Sequence, residues 1–320
     1  MSAAKTIGVD LGGTKMLVGA LSGTEILSES REASTGQTED ALVELLVREV
    51  SEAREACPEA VAVGLGIPAT IDHETGVAVA AVNLPLEDLP IRDLVEARIG
   101  LPVFVDNDAN VAALAEQLYG AGRGANEMVL LTIGTGIGGG LILGGEVYRG
   151  ATGAGAELGH TVIDLDGPPC QGNCPGRGCI ETLASGTALG REAREAAQRE
   201  PDSALGAMAA DGEEIDGKAV TELALAGDLI AIGVFDLIGS RLGAALVTFA
   251  NIFEPKVIVI GGGVMAAGDL LLDPARKVLR ERALRPMNEI PVVAAQLGPE
   301  AGLIGAAALA RIELEKRGEG

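Results

Sequence analysis

The strongest constraint on the fold is a pattern that this chain carries twice: an apolar strand, a glycine-rich turn and a second apolar strand. The first copy spans residues 6–21 and the second spans residues 128–143. Repetition at this distance predicts two lobes of related topology, with a ligand between them. Backbone N–H groups in such turns can point at a phosphate. The turn residues are Gly12, Gly13, Thr14 and Lys15 in the first copy and Gly134, Thr135, Gly136 and Gly138 in the second.

The first turn comes directly after Asp10, at the end of a predicted strand. A carboxylate beside a phosphate-facing turn is placed to hold a cation such as Mg²⁺. An ordinary β-hairpin would show the same local pattern. Taken alone, the first copy therefore leaves both interpretations open.

Two glycine runs, at 134–139 and 261–266, match the dinucleotide-binding pattern G-x-G-x-x-G or its alanine variant. That pattern requires a helix directly after the loop, within a βαβ unit. Residues 141–143 continue as a strand, and the second run lies too near the C-terminus for a following βαβ unit. A dehydrogenase is therefore disfavoured. Three glycine-rich loops, the third at Gly261–Gly263, suit a nucleoside triphosphate held from two lobes.

One histidine and three of the four cysteines fall close together, at His160, Cys170, Cys174 and Cys179. An imidazole and three thiolates make a complete tetrahedral zinc shell without a water position, so the predicted zinc is structural. Incidental cysteines, or disulfides in a secreted chain, would fit the same spacing. The N-terminus runs directly into a strand and leaves no room for a signal peptide. We therefore expect a cytoplasmic protein, whose thiols stay reduced.

The net charge of this 320-residue chain is −22, from 24 Lys and Arg against 46 Asp and Glu. This balance disfavours nucleic-acid binding through bulk electrostatics, because phosphate contacts need clustered Lys and Arg. A small anionic ligand is still allowed, since backbone amides and a cation can hold it locally. The apolar stretch from Leu229 to Phe253 is interrupted by Asp236 and Arg241, which predicts a buried core helix rather than a membrane span.

A dense polar cluster, Asp-Asn-Asp-Ala-Asn at 106–110, lies between a predicted strand and an alanine-rich helix. α/β proteins commonly place their chemistry at this kind of junction. A helix N-cap accounts for only one of these side chains. Two Asp and two Asn in five residues therefore predict a role beyond capping.

These motifs together resemble those of the ROK family of sugar kinases and related repressors, in the actin-like ATPase superfamily. The resemblance runs through nearly the whole chain. Its most specific element is Glu157-x-x-His160, followed by the cysteines and Glu181. The other matching segments are the first phosphate motif at 10–15, the second at 134–140, the adenosine motif at 261–263, and the catalytic segment at 107–110 with Glu116.

The resemblance implies an α/β chain with the two-lobed actin-like ATPase (ribonuclease H-like) fold and a ligand cleft between the lobes. The N-terminal lobe is expected to span residues 1–116, with a C-terminal helix at about 301–320 packing back onto it. The C-terminal lobe is expected to span 117–300 and to carry the zinc knuckle at 157–181.

The resemblance also implies roles for single residues. Asp108 is expected to be the catalytic base, which accepts the proton of a sugar hydroxyl as the O–P bond forms. The expected sugar-binding residues are Asn83, Asn107, Asp108, Glu157, His160 and Glu181. The expected nucleotide-binding residues are Asp10, Gly12, Gly13, Thr14, Lys15, Gly134, Thr135, Gly136, Gly138, Gly261, Gly262 and Gly263. Zinc on the His and Cys ligands is expected to frame the sugar pocket, so that its removal acts on sugar affinity and stability and not directly on the glycine turns.

The implied activity is ATP- and Mg²⁺-dependent phosphorylation of a hexose, first of all glucose to glucose 6-phosphate, in carbohydrate metabolism and glycolysis. Fructose, mannose or an N-acetylhexosamine as substrate, polyphosphate as donor and a non-catalytic sugar sensor are the alternatives. A repressor of this family carries a DNA-binding domain ahead of the kinase-like body, whereas the first hairpin here begins at Thr6. A homo-oligomer, dimer or tetramer, without nucleic-acid or membrane partner is expected.

Two departures from the family pattern affect the site. Three residues separate Cys170 from Cys174, where the family usually has one. The other spacings fit, so we expect a two-residue insertion that keeps all three cysteine ligands. Residues 83–86 lack the Gly-Trp that often follows the family's Asn, which leaves the preferred hexose open.

Overall fold

The computed structural model describes residues 4–81, 84–172 and 174–318. The strands are β1 Lys5–Leu11, β2 Lys15–Ser22, β3 Glu25–Ala33, β4 Val63–Ile67, β5 Ala69–Asp72, β6 Val77–Ala81, β7 Glu87–Leu89, β8 Val103–Asn107, β9 Met128–Ile133, β10 Ile137–Leu143, β11 Glu146–Val147, β12 Val257–Gly261 and β13 Val292–Ala294. The helices are α1 Glu39–Ala56, α2 Ile91–Ile99, α3 Asp108–Tyr119, α4 Ile180–Ala184, α5 Gly186–Arg199, α6 Ala204–Ala210, α7 Gly217–Leu225, α8 Leu229–Phe253, α9 Asp269–Arg282 and α10 Ala301–Lys316.

The chain folds as two compact units. The first comprises the described residues up to Gly124, Gly140–Ala156 and those from Gln296 onward. The second comprises Ala125–Gly139 and Glu157–Ala295. Both ends of the chain therefore belong to one unit, together with a short internal segment.

The first sheet has the strand order β3-β2-β1-β4-β8, in which the neighbouring strands β1, β4 and β8 run parallel and β8 lies at the edge. Their nearly continuous runs of apolar residues predict strands that are buried on both faces. The register pairs Asp10 with Gly66 and Gly66 with Asp106. The two acidic residues therefore lie in one row near the carboxyl ends of parallel strands, where α/β sheets bind ligands.

Helix α10 packs closely on this sheet because glycines leave no side chains between them. A Cβ at Gly64 in β4 would lie 1.8 Å from the carbonyl oxygen of Ala306. The same approach brings the first turn of α10 against the carboxylate of Asp10, where a Cβ at Gly302 would lie 2.4 Å from it. Bulkier residues at either glycine would displace the helix and uncover Asp10.

The second sheet has the order β11-β10-β9-β12-β13, with β9, β12 and β13 parallel. The chain after the glycine run at 134–139 continues as β10, so the strand predicted there is confirmed. At the end of β12, Gly261 pairs with Thr132. Gly262 follows with a φ of 89°, and a Cβ there would lie 2.4 Å from the carbonyl oxygen of Ile133. Glycine is therefore required for this loop to lie against β9.

Helix α8 is the one described helix that is long and apolar enough to cross a membrane, judged by length and composition. Half of its apolar window is buried, and it packs against α4, α5, α7 and α9. The side chains of Leu229 and Ile252 are 79% and 65% exposed. Helix α8 is therefore partly buried, with one exposed apolar side chain near each of its ends.

Candidate active site

Asp10 and Asp108 are two acidic groups of the first unit that influence each other. Burial raises the pKa of Asp10 to about 7, and the charge of Asp108 adds to the rise. Carboxylate oxygens are the ligands that Mg²⁺ takes, and a nearby cation would stabilise the ionised form of Asp10. The chemistry of Asp10 and its neighbour therefore fits a divalent cation.

The side chains of the polar cluster at 106–110 differ in burial and in the hydrogen bonds that they make. Asn107 caps α3, because its Oδ1 accepts hydrogen bonds from the amides of Ala109 (2.9 Å) and Asn110 (3.3 Å). Asp106 is buried, and its Oδ1 accepts from the amide of Asn107 (2.8 Å) and from Nδ2 of Asn110 (2.9 Å). Asp108 begins α3 and is partly exposed, with Oδ1 2.9 Å from the amide of Ala109. Of the two Asp, only Asp108 is exposed enough to meet a ligand.

Arg149, which was not predicted from sequence, braces this cluster. Its Nε donates to Oδ2 of Asp106 at 2.7 Å, and the two side chains are 16% and 5% exposed. A buried charge needs such a partner, and a guanidinium supplies it with directed donors. The pair therefore fixes the strand end that leads into Asp108.

Glu116, which the resemblance groups with the catalytic segment, is fully buried, and its carboxylate accepts hydrogen bonds from backbone amides. Its Oε1 accepts from the amides of Gln296 (2.9 Å) and Leu297 (2.8 Å), and its Oε2 accepts from the amide of Ala121 (2.7 Å). These bonds join the end of α3 to the segment that leads into α10. The structure therefore gives Glu116 a supporting position inside the fold.

The first glycine turn, residues 12–14, joins β1 to β2. The amide of Gly12 donates to the carbonyl of Lys15 (2.8 Å), which closes the turn. Ser34, a buried residue that was not predicted, donates from Oγ to the carbonyl of Gly12 (2.6 Å), and its amide donates to the carbonyl of Thr14 (3.1 Å). Carbonyls of the turn are thus held by Ser34, the residue that follows β3.

The second glycine turn, residues 134–136, is tied to α4 and to the first residues of α5. The amide of Gly186 donates to the carbonyl of Gly134 (2.7 Å), and Oγ1 of Thr187 donates to the carbonyl of Thr135 (2.8 Å). Glu181 accepts a hydrogen bond at Oε2 from the amide of Ile137 (2.9 Å). A predicted sugar-binding carboxylate at the end of the knuckle therefore contacts a predicted phosphate turn, which makes an effect of zinc removal on that turn the revised expectation.

The four predicted metal ligands converge. One ligand atom from each of His160, Cys170, Cys174 and Cys179 lies within 4.8 Å of all the others. Ligands of a tetrahedral zinc ion at their usual bond lengths lie about 3.5–3.8 Å apart, and Nδ1 of His160 is 3.5 Å from Sγ of Cys170. Burial raises the pKa of Cys170 to about 12, with hydrogen bonding to Cys179 and Cys174 adding to the rise. A thiol with a raised pKa needs a cation nearby to become a thiolate, and the ligand set of one imidazole and three cysteine sulfurs fits zinc.

The two ring nitrogens of His160 face different groups. Nδ1 lies toward the cysteines, whereas Nε2 lies 3.9 Å from Oε2 of Glu157. Desolvation raises the pKa of Glu157, although 59% of its side chain is exposed. His160 can therefore bind a metal through one nitrogen and present the other, beside Glu157, to a polar ligand.

Of the residues between Cys170 and Cys174, the structure describes Gln171 and Gly172. Gly172 has a φ of 58°, and the amide of Cys174 donates to the carbonyl of Gln171 (3.4 Å). The backbone of Cys170 then pairs with that of Gly176 (2.9 Å). A Cβ at Gly176 would lie 3.2–3.3 Å from two of the ligand sulfurs, so glycine makes room for the cluster. The insertion leaves Cys174 among the ligands.

Asn83, the remaining predicted sugar-binding residue, lies outside the described residues. The other predicted residues lie within the part of the chain that the structure describes. In the first unit are Asp10, Gly12, Gly13, Thr14, Lys15, Asn107 and Asp108, and in the second are Gly134, Thr135, Gly136, Gly138, Glu157, His160, Cys170, Cys174, Cys179, Glu181, Gly261, Gly262 and Gly263.

The raised pKa of Asp10 predicts a stabilising substitution. Between about pH 4 and 7 the folded state keeps a proton that the unfolded state releases, so stability falls as pH rises through this window. Asp10→Asn removes this penalty, and at pH 8 it is expected to add up to ~4 kcal/mol to the free energy of unfolding in metal-free buffer. Near pH 4 the two proteins should have similar stability. Thermal unfolding across this pH range measures the difference.

Asp93→Asn is the matched control, because the side chain of Asp93 is 71% exposed. Its stability relative to the wild type should change little with pH, as exposed ion pairs contribute little. A stability difference for Asp10→Asn that is the same at pH 4 and pH 8 would contradict the assignment of the charge penalty to Asp10.

The comparisons with known proteins agree with this geometry. Residues 6–313 match the model of the ROK family. The chain is 39% identical to a glucokinase of Streptomyces coelicolor over 96% of this chain and 97% of that protein. It is 37% identical to a glucokinase of Thermotoga maritima over 95% of this chain and 96% of that protein.

A solved structure extends the likeness to the fold. The ROK family glucokinase from Streptomyces griseus, in complex with glucose and AMPPNP, superposes with a TM-score of 0.84 at 40% identity, over 96% of this chain and 99% of that one. The predicted fold class, an α/β two-lobed actin-like ATPase, is confirmed by this likeness. The family predicted from the motifs is confirmed as well: this chain belongs to the ROK family.

Proposed function

We propose that this protein is an ATP-dependent glucokinase, which transfers the γ-phosphoryl group of ATP to a hydroxyl of glucose and forms glucose 6-phosphate. The observation that carries the proposal is the full-length likeness to glucokinases at 37–39% identity. The likeness to a glucokinase structure that holds glucose and AMPPNP supports the same substrate pair.

Asp108 is the proposed catalytic base. A sugar hydroxyl is a poor nucleophile, and a carboxylate within hydrogen-bond reach can take its proton during the transfer. The partial exposure of Asp108 at the start of α3 supports this role, while buried Asp106 and Arg149 hold the strand before it. An ordinary carboxylate suffices, because phosphoryl transfer depends mainly on positioning and charge neutralisation.

Glu157, His160 and Glu181 are the proposed sugar-binding groups of the second unit, with Asn107 and Asn83 in the first part of the chain. Carboxylates accept charge-assisted hydrogen bonds from sugar hydroxyls. Nε2 of His160 lies beside Glu157 and supplies one further polar contact. Asn107 uses Oδ1 as the cap of α3, and its Nδ2 donates one hydrogen to the carbonyl of Ala69 at 3.4 Å, so the second hydrogen of Nδ2 is proposed to meet the sugar.

The glycine turns at 12–15 and 134–138 and the loop at Gly261–Gly263 are proposed to bind ATP through backbone N–H groups. Asp10 would hold Mg²⁺, directly or through water, and Mg²⁺ would neutralise phosphate charge during transfer. Burial and the negative charge of Asp108 raise the pKa of Asp10, so a positive charge beside Asp10 is favourable. A bound cation would supply that charge and keep the carboxylate ionised.

Zinc on His160, Cys170, Cys174 and Cys179 is proposed to be structural. The ligand set has no position left for water, so the ion fixes the loop instead of activating a nucleophile. It would hold His160 and, through Cys179, the start of α4 with Glu181. The frame of the sugar-binding groups would then depend on the metal.

The proposal also covers the bounds of the two lobes, the cellular location and the oligomeric state. The N-terminal lobe would span residues 1–116 with the helix near 301–320, a division that the packing of α10 on the first sheet supports. The C-terminal lobe would span 117–300, a division that differs from the compact units at 117–124, 140–156 and 296–300, which belong to the first unit. The protein would act in the cytoplasm, in glycolysis, as a dimer or tetramer without nucleic-acid or membrane partners.

The test is a coupled assay of ADP formation with glucose, mannose, fructose and N-acetylglucosamine, each with Mg²⁺ and either ATP or polyphosphate. We expect the highest kcat/KM for glucose with ATP. A higher value for another hexose or for polyphosphate would correct the substrate or the donor. Glucose binding by calorimetry without turnover on any sugar would identify a sensor and contradict the kinase.

A further inference from the structure

We propose that Glu181 is a positioning residue for the second glycine turn, so that one carboxylate serves both the sugar site and the nucleotide site. The identity of the two ligands rests on the proposed function. The contact itself is direct: the amide of Ile137, which begins β10 at the end of the turn, donates to Oε2 of Glu181 at 2.9 Å.

The absence of a side chain at Gly136 leaves space for the carboxylate of Glu181. A Cβ built on Gly136 would lie 2.3 Å from Oε2 of Glu181 and 3.1 Å from its Cδ. Any other residue would therefore push the carboxylate away from the amide of Ile137. The absence of a side chain at 136 thus has a local cause, the approach of Glu181 to the backbone of the turn.

The first two residues of α5 hold the second glycine turn at two further points. The amide of Gly186 and the hydroxyl of Thr187 donate to the carbonyls of Gly134 and Thr135, at 2.7 and 2.8 Å. These bonds hold carbonyls, whereas Glu181 holds an amide at the far side of the turn. Only Glu181 brings a full charge, and a hydrogen bond to a charged group contributes roughly twice as much as a neutral one.

The carboxylate also borders the metal cluster. Its second oxygen, Oε1, lies 4.0 Å from Sγ of Cys170, and Glu181 follows the ligand Cys179 by two residues. Oε2 of Glu181 contacts the turn, and Oε1 is the oxygen proposed to contact the sugar. Losing Glu181 should therefore weaken sugar binding and loosen the turn that binds nucleotide.

The experiment measures binding of Mg²⁺–AMPPNP by calorimetry in the absence of sugar. Glu181→Ala should weaken AMPPNP binding about tenfold, which corresponds to the loss of one hydrogen bond to a charged group. Glu181→Gln keeps an acceptor oxygen and should bind AMPPNP within about twofold of the wild type. Glu157→Ala is the matched control, because it removes a proposed sugar carboxylate without a contact to the turn, and it should also bind AMPPNP within about twofold.

All three variants should bind glucose more weakly than the wild type. Glu181→Asp, which keeps the charge on a shorter side chain, takes the place of the alanine variant if that variant does not fold, and should lose AMPPNP affinity several-fold. Wild-type AMPPNP affinity in Glu181→Ala or Glu181→Asp would overturn the proposal and leave Glu181 a sugar ligand alone. Wild-type protein that binds AMPPNP but does not phosphorylate glucose would instead contradict the proposed function, while the pattern among the variants would still decide the role of Glu181.

Discussion

Replacing Asp108 with Asn is expected to reduce kcat for glucose phosphorylation by about 10²- to 10⁴-fold, the usual contribution of a general base. Glucose affinity should stay within about tenfold of the wild type, because the amide keeps the shape of the side chain and removes only its basicity. Asp108 begins α3 and is partly exposed, so the substitution leaves the buried pair of Asp106 and Arg149 intact. A coupled ADP assay and a glucose titration on the same preparation measure both quantities.

An exposed carboxylate elsewhere, Asp202, supplies the control, and Asp202→Asn should turn over at the wild-type rate. The pH–rate profile adds a second readout, since the variant should lose the acidic limb that reports ionisation of the base. Near-normal turnover by Asp108→Asn would remove Asp108 from the role of base. A loss of glucose binding equal to the loss of kcat would assign Asp108 to sugar binding alone.

The second large effect is expected on removing the metal. Cys179→Ser, or extraction with a chelator, should abolish zinc binding, lower the melting temperature and weaken glucose binding at least tenfold, because the metal holds the loop that carries His160 and leads into Glu181. AMPPNP affinity should fall as well, since Glu181 braces the second glycine turn through Ile137. Zinc content, thermal unfolding and the two titrations together measure this.

Cys57→Ser is the matched control, because Cys57 is buried in the core of the first unit and lies outside the ligand set. It should keep one zinc per chain and wild-type glucose affinity. Cys179→Ser protein that retains full zinc and full glucose affinity would contradict the assignment of the cluster.

The sequence is most informative where chemistry depends on neighbours along the chain. The ligand spacing at 160–179, the two strand–turn–strand hairpins and the strand after the run at 134–139 all follow from local residue order. The fold class was implied by the resemblance of these motifs to those of the ROK family. The sequence also indicates that the cluster at 106–110 exceeds the needs of a cap. The sequence does not show which residue of the cluster has which position. In the structure Asn107 caps α3, Asp106 and Asn110 are buried together, and Asp108 is partly exposed.

What could not be predicted is set by contacts between distant residues. Arg149 meets Asp106 across 43 positions, Ile137 meets Glu181 across 44, and Glu116 meets the amide of Gln296 across 180. No periodicity or motif in a single sequence encodes such pairs, because they form only when the sheets and helices pack. The role of Glu181 at the turn was missed for this reason.

The most direct test of the central claim is the stoichiometry of phosphoryl transfer by the wild-type protein. Glucose, Mg²⁺ and ATP are incubated with the protein, and ADP and sugar phosphate are followed together by phosphorus NMR. The proposed function predicts one glucose 6-phosphate for each ADP, with ADP formed only when glucose is present. ADP release at the same rate without glucose, or glucose binding without any ADP, would contradict it.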